Sequence, residues 1–390
     1  MGAATPPPMK KKIPSRLRAW AEVDLAALER NLKAIRNAMP HHLKTIAVVK
    51  ANAYGHGIAP VVSRLMRTGV SAFAVANLEE AARIRELGSG WPILALSVLL
   101  PSEYKEAQRL RVSPTISSIE EVHNLAKLAQ TDQLPIGVHV KIDTGMGRLG
   151  IWYPQFAELL AAIQASPLQL EGICTHFAAA DVDLPFTELQ RQRFIDCLTQ
   201  SDPKALRNLL IHADNSAGIQ TFHPTGPFNA IRIGLLQFGI NAGPHGALGV
   251  IPTEPVLSFR CRVGLTKTLP AGATVSYGRS CTLRRQTRIA VLTAGYADGL
   301  PTSLSNRGTV IIGGKSCPIL GRITMDQCMA DVTELTDNPA PGQVATFIGA
   351  DGPTCISASD YASASGQIVW EALCTLSKRT TRVYLNDSAI

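Results

Sequence analysis

From about residue 44 to residue 233 the chain repeats one pattern: a short apolar, often β-branched run, a polar stretch, then a longer segment. The runs are Ile46–Val49, Ala72–Val75, Ile93–Leu96, Val112–Thr115, Val138–Ile142, Gly172–Thr175, Leu209–Ile211 and Ala230–Ile233. Glu79–Leu87, Ile119–Ala129 and Gln155–Ala165 fall between them and read as helices. Ahead of the series, Ala21–Met39 carries Leu25, Leu28, Leu32 and Ile35 at helical spacing and stops at Pro40. Eight strands alternating with helices over about 200–250 residues predict an α/β fold, a (β/α)8 TIM barrel. The fourth run is the weakest strand, because Pro114 has no N–H to give.

Past Pro252 the texture changes. Val256–Val263, Ala273–Val275, Arg288–Leu292, Thr309–Ile312, Ser316–Leu320 and Gln343–Phe347 read as strands between Gly/Pro turns, with a helical piece at Ile368–Leu376. The barrel is thus followed by a C-terminal all-β domain. The expected partition is a disordered leader at 1–16, a barrel at 17–251 and a β-rich domain at 252–390. A chain of 390 residues is long for one core, which agrees with two.

Charge changes the picture little. The formal net charge is +8, but the basic residues are scattered, and the one run, Lys10–Lys12, adjoins Pro6–Pro8 in the leader. Aromatics make up 5% and do not interleave with basic patches, so no nucleic-acid partner is expected. The positive balance suits anionic small ligands instead. Eight scattered cysteines without a CxxC pair point to buried thiols in a reducing compartment, with neither a disulfide framework nor a metal site. The leader lacks the apolar segment of a secretory signal, and the longest apolar run, Trp91–Leu100, contains Pro92 and is too short to span a bilayer. A cytoplasmic protein with no membrane partner is the expectation.

Candidate chemistry gathers just after the apolar runs: Lys50 and Tyr54, Lys141 to Arg148, His176, Asn215 and Ser216, then Arg232 to Gly234. In a barrel this is the C-terminal rim, where active sites lie. Lys50 ends its run, and an amine held there against apolar walls loses solvation, which lowers its pKa and frees it as a nucleophile. The same position also suits a lysine that lays its stem on apolar surface and keeps its head in water. Loops after the seventh and eighth strands commonly bind phosphate through amides and a hydroxyl. Here Ser216, Gly234, Leu235 and the Tyr54 phenol are the candidates. Glycines at 145, 147 and 150 permit a tight loop carrying Arg148, whose planar fork matches a carboxylate. Arg232 could equally pair with a barrel carboxylate, and a lone histidine such as His176 is usually structural.

The strings Ala47–Gly57, Val138–Gly150, Thr175–Phe177, His212–Gly218, Ile231–Leu235, Val275–Arg279, Ala294–Gly299 and Gly321–Gln327 together closely resemble alanine racemases, in order over about residues 17–385. The resemblance implies a racemase dependent on pyridoxal 5'-phosphate (PLP), with the cofactor on Lys50 as a Schiff base and D-alanine supplied for peptidoglycan. It implies PLP contacts from Tyr54, His176, Asn215, Ser216, Gly234 and Leu235, with Arg232 facing the pyridine nitrogen and Arg148 binding the substrate carboxylate. Lys141 matches a lysine often carbamylated in the family, which orients the arginine. His176 matches a histidine that hydrogen-bonds the catalytic tyrosine. Lys50 and Tyr277 match the two bases, Tyr277 acting from the partner subunit, so a homodimer with shared sites acting on a small amino acid is implied. Tyr296 and Arg322 match residues of the site's mouth, and Met325 and Asp326 match residues bordering the substrate. At Lys378 the family usually has a tyrosine that helps hold the phosphate and narrows the mouth. A serine or broad-specificity racemase is therefore the alternative, ahead of a PLP decarboxylase of similar architecture and a non-catalytic PLP-binding protein.

Overall fold

The computed structural model describes residues 14–221, 226–241 and 251–387. The leader up to residue 13 lies outside the described residues. The chain divides into two compact units, one holding Glu29–Ala53 with Ile58–Thr253, the other the segment up to Leu28, Tyr54–Gly57 and the chain from Glu254 onward.

The first unit is the barrel. Its eight parallel strands are Lys44–Val48, Ala72–Val75, Ile93–Ala95, Val112–Ile116, Gly137–Asp143, Gln169–Cys174, Leu210–His212 and Ala230–Ile233, the first seven hydrogen-bonded in that order and the eighth paired with the first. Every predicted run is a strand. Most of their residues are buried, as expected when helices cover the outside, although Lys44, Gln169 and Glu171 are exposed. Helices Leu78–Leu87 and Ile119–Asp132 start where Asn77 and Ser118 accept N–H bonds from Glu80 and Glu121. Pro114 sits inside the fourth strand after all, opposite Ala95, and the Thr115 hydroxyl donates to the Ala95 carbonyl. A side chain thus supplies a donor where the ladder lacks one.

The seam between the seventh and eighth strands carries no ladder among the described residues. Asn229 stitches it. Its amide nitrogen donates to Ile211 O (3.1 Å), its Oδ1 accepts from Ile211 N (2.8 Å), and its Nδ2 donates to Leu209 O (2.7 Å). One turn on, Arg232 N donates to Asp214 O at 3.0 Å. These bonds tie the two loops that carry the candidate phosphate groups.

The second unit is built on a nine-stranded sheet that includes Leu257–Leu269, Thr287–Leu292, Thr309–Ile312, Lys315–Leu320 and Val344–Asp351. Four of its strands, Ala19–Asp24, Cys328–Asp331, Thr354–Ile356 and Thr381–Leu385, have no counterpart in the expected set. The first corrects the predicted N-terminal helix, which begins at Leu25, not Ala21. Ala19–Asp24 pairs antiparallel with Leu257–Leu269 and parallel with Thr381–Leu385. The Asp24 carboxylate then accepts N–H bonds from Ala26 and Ala27, which starts the helix there. The C-terminal helical piece is Val369–Cys374, preceded by an unpredicted helix at Ala358–Ser365. The cysteines also differ from expectation in part: Cys174, Cys197, Cys261, Cys317 and Cys328 are buried, whereas Cys355 and Cys374 are exposed.

Candidate active site

Lys50 follows the first barrel strand and is half-buried. The next four residues, Ala51, Asn52, Ala53 and Tyr54, all have φ between +52° and +55°. Such a left-handed turn of non-glycine residues costs roughly 1–2 kcal/mol per residue, so its surroundings must hold it. Ala53 N donates to Val49 O (2.8 Å), and Asn52 Oδ1 accepts from Ile58 N (2.9 Å). The outcome is a fixed bend immediately after the lysine. Tyr54 ends the turn and is buried.

Lys141 lies on the fifth strand in register with Cys174 on the sixth. Burial lowers the Lys141 amine to about 8; Cys174 opposes that shift, and the cations Arg232, Arg148 and Lys50 reinforce it. Four cationic side chains therefore face one region of the barrel rim, an arrangement that calls for anions. Arg148 itself is exposed, at the end of a loop that Asp143 shapes. The Asp143 carboxylate accepts the N–H groups of Gly145 and Met146 (both 2.9 Å) and Gly147 (3.0 Å). A Cβ at Gly150 would stand 2.7 Å from Asp143 N and 2.9 Å from the Lys141 side chain, so only glycine lets the loop close back there.

Arg232 is buried on the eighth strand and donates in several directions. Nη1 reaches His212 Nδ1 (2.7 Å) and His212 O (3.1 Å); Nη2 reaches Ala213 O (2.7 Å), Thr175 O (3.0 Å) and His176 Nδ1 (3.2 Å). Imidazoles and main-chain carbonyls are the partners in these bonds, and the Asp214 carboxyl also feels the Arg232 charge. His176 is held well below its ordinary pKa by burial, with Arg232, Lys141, Arg148 and Lys50 adding to it. Its Nδ1 faces Arg232, which leaves Nε2 for another partner.

Three of the phosphate candidates, Ser216, Gly234 and Leu235, are brought together. Ser216 Oγ accepts from Gly234 N (2.8 Å) and Leu236 N (3.3 Å), so its hydroxyl proton is the group left to donate. Leu235 opens a short turn, Leu235–Phe238, whose first N–H groups have no partner within the turn. Asn215 Oδ1 accepts from Gly218 N (2.9 Å) and closes the preceding loop.

In the other unit, Tyr277 is 67% exposed, and its segment touches that of Arg322: Ser276 Oγ donates to Arg322 O at 2.5 Å. Tyr296 N and Ala297 N donate to Thr324 O and Met325 O (both 3.0 Å), which ties the Tyr296–Ala297 segment to Thr324–Met325. Two residues that the sequence did not single out organise this face. Arg379 grips Asp298 through Nε (2.8 Å) and Nη2 (3.1 Å) and reaches Asp326 Oδ1 through Nη1 (2.7 Å). Lys378, beside it, is exposed. Nothing in composition marks Arg379 or Asp298; only their place beside Lys378 and Tyr296 in otherwise matched segments could have drawn attention to them. His139 and His212 were likewise passed over, although His139 stands two residues from Lys141 and so shares its face of the strand.

Comparison with known proteins agrees with this geometry. Residues 23–242 match the family "Alanine racemase, N-terminal domain", and residues 256–384 match "Alanine racemase, C-terminal domain". The chain is 36% identical over 369 residues to an alanine racemase of Halothermothrix orenii, covering 94% of this chain and 97% of that one. It is 38% identical over 367 residues to one of Streptococcus uberis, covering 94% and 97%. Among solved structures, alanine racemase from Bacillus anthracis with bound L-Ala-P superposes with a TM-score of 0.88 at 33% identity, covering 97% of each chain. That from Bartonella henselae with covalently bound pyridoxal phosphate superposes with a TM-score of 0.85 at 27% identity, covering 94% and 99%.

Proposed function

The chain belongs to the alanine racemase family and interconverts L- and D-alanine; from this we infer that Lys50 and Tyr277 are its two proton carriers. The observation that carries the assignment is the set of cations on the barrel rim, Lys50, Lys141, Arg148 and Arg232, felt together at Lys141, with Arg232 donating to His212 Nδ1 and Ala213 O. Such a set fits an anionic, aromatic cofactor and a carboxylate substrate. The family implies PLP, and the donors present suit it. Ser216, Leu235, Asn215, Gly234 and Tyr54 would hold the phosphate, Lys50 the carbonyl carbon, and Arg232 the ring nitrogen. When bound, PLP withdraws electrons from the amino acid's α-carbon and so acidifies its proton.

Lys50 Nζ takes or returns that proton on one face. The partner subunit's Tyr277 serves the other, since inversion needs carriers on opposite sides of one carbon. The high exposure of Tyr277 in a single chain supports a role toward a second copy. A guanidinium has no lone pair to give and keeps its own protons, so Arg232 donates a hydrogen bond without transferring a proton. That limits how far charge spreads from the α-carbon and keeps it near the two carriers. Arg148 orients the substrate carboxylate, and Lys141 sets the charge beneath it. His176, with Nε2 available, positions the tyrosine. The enzyme is read as a cytoplasmic homodimer that supplies D-alanine for peptidoglycan. No helix among the described residues is long and apolar enough to cross a membrane.

Serine is the alternative substrate, because the exposed amine of Lys378 replaces the family's usual tyrosine beside Arg379. The test is α-proton exchange in heavy water with added PLP, using alanine, serine and longer amino acids with chiral analysis. Borohydride reduction and peptide mapping follow. Racemisation of alanine with the label on Lys50 is expected. Preference for serine moves the substrate assignment to Lys378, and a label elsewhere overturns the role of Lys50.

A further inference from the structure

A line of polar groups crosses the barrel interior through its last four strands. His139 is on the fifth strand, Gly172 opposite it on the sixth, His212 at the end of the seventh and Arg232 on the eighth. Arg232 Nη1 stands 2.7 Å from His212 Nδ1, and His212 Nε2 stands 3.3 Å from His139 Nδ1. All three side chains are buried, at 3% exposure or less. A Cβ on Gly172 would run into the His139 ring, so the glycine leaves the space that the imidazole fills.

Donor and acceptor rules fix every proton in this line. A guanidinium only donates, so His212 Nδ1 must be the acceptor. Neutral His212 then carries its proton on Nε2, which faces His139 Nδ1 and makes that atom an acceptor in turn. His139 is left with its proton on Nε2. A second proton on His212 would fall on Nδ1, directly against a cation. Burial and Arg232 hold both imidazoles in the neutral form, His139 down at about 4 and His212 well below its ordinary value.

We propose that His139 is a positioning residue that acts through His212 on Arg232: by accepting the His212 Nε2 proton it locks the tautomer that receives the guanidinium. Without that acceptor, His212 can carry its proton on Nδ1, where it opposes the Arg232 N–H groups and displaces them. The functional consequence rests on the reading that Arg232 faces the cofactor's ring nitrogen. The tautomer itself does not.

The experiment is nitrogen-15 NMR of histidine-labelled holoenzyme, with kinetics on alanine, for wild type, His139→Leu and His139→Gln. In wild type, His212 and His139 are each expected to show protonated Nε2 and bare Nδ1, unchanged between pH 8 and pH 5.5. His139→Leu is expected to give a mixture of His212 tautomers and to lower kcat about ten- to hundredfold with little change in KM, the size of effect that misaiming a fixed group produces. His139→Gln, whose amide oxygen accepts from Nε2–H, restores both the single tautomer and most of kcat. A single unchanged tautomer in His139→Leu, or equal kcat in the Leu and Gln variants, overturns the proposal. If the Leu variant does not fold, the wild-type spectrum decides, since a proton on His212 Nδ1 refutes the relay outright. Wild type that does not racemise alanine would refute the functional reading, while the spectrum still decides the relay.

Discussion

Arg191 and Asp214 form a two-point ion pair closed off from solvent, with Nη2–Oδ1 at 3.1 Å, Nη1–Oδ2 at 3.3 Å and side chains 2% and 0% exposed. Phe177 and Phe228 cover the guanidinium at 4.9 Å and 5.7 Å from its carbon. Asp214 directly precedes Asn215 and Ser216, so the pair anchors the candidate phosphate loop from behind. Burial pushes the Asp214 carboxyl up more than Arg191 pulls it down. The pair therefore supplies position more than net stability, yet removing one partner strands a buried charge.

Arg191→Met is accordingly expected to lower unfolding free energy by about 3–5 kcal/mol, and Arg191→Met with Asp214→Leu to recover most of it. Urea unfolding of the three proteins checks this. A single variant losing less than about 1 kcal/mol, as for an exposed pair, would count against the anchor.

Acid stability follows from the buried imidazoles. His139 has a native pKa of about 4 against 6.5 unfolded, so between those values the unfolded chain binds more protons and stability falls as pH falls. That one group contributes about 3 kcal/mol, present above pH 6.5 and lost progressively toward pH 4. His176 and His212 shift the same way. Urea midpoints at pH 7 and pH 5 should differ accordingly, and His139→Gln should reduce the difference. Equal midpoints would show that the rings are charged in the native state.

Lys141 should react with carbon dioxide. At a pKa of about 8 a sizeable share of its amine is neutral near pH 7.5, and addition of carbon dioxide to that amine, with loss of a proton, leaves a carbamate. The new negative charge would sit among Arg148, Arg232 and Lys50 and relieve their repulsion. Carbon-13 NMR in labelled bicarbonate should show one carbamate carbon that disappears in Lys141→Arg. A spectrum without it assigns Lys141 a purely cationic role.

Tyr277→Phe should slow proton removal from one alanine enantiomer far more than from the other, because each carrier serves one face. Removing a positioned acid or base typically costs about 10²–10⁴-fold. Primary deuterium isotope effects measured in both directions test the asymmetry. Small, equal losses would make Tyr277 structural.

The barrel was legible because short, mostly apolar runs recur with helical segments between them, even though the fifth strand is interrupted by His139 and Lys141. Ala19–Asp24 was not, because Ala-Trp-Ala-Glu-Val-Asp runs into a helical stripe at Leu25 and its pairing partners lie more than two hundred residues away. The site motifs were recognisable as strings, yet strings do not say what grips them. That Arg379 holds both Asp298 and Asp326 depends on three distant segments meeting, and that Arg232 donates to the imidazoles of His212 and His176 depends on strand order. The left-handed turn after Lys50 has no signature in Ala-Asn-Ala-Tyr beyond the tolerance of asparagine for that conformation.

The parallel pairing of Ala19–Asp24 with Thr381–Leu385 sets an order on biosynthesis. The barrel's eight strands have all been made by Ile233, so they can assemble while the ribosome is still translating. Ala19–Asp24 is made before the barrel and finds Leu257–Leu269 on one side; at about 5–20 residues per second its partner on the other side, Thr381–Leu385, emerges roughly 20–70 s after it. Until then that side is an unpaired edge, and a nascent chain slowed before Thr381 would be most exposed to mispairing there.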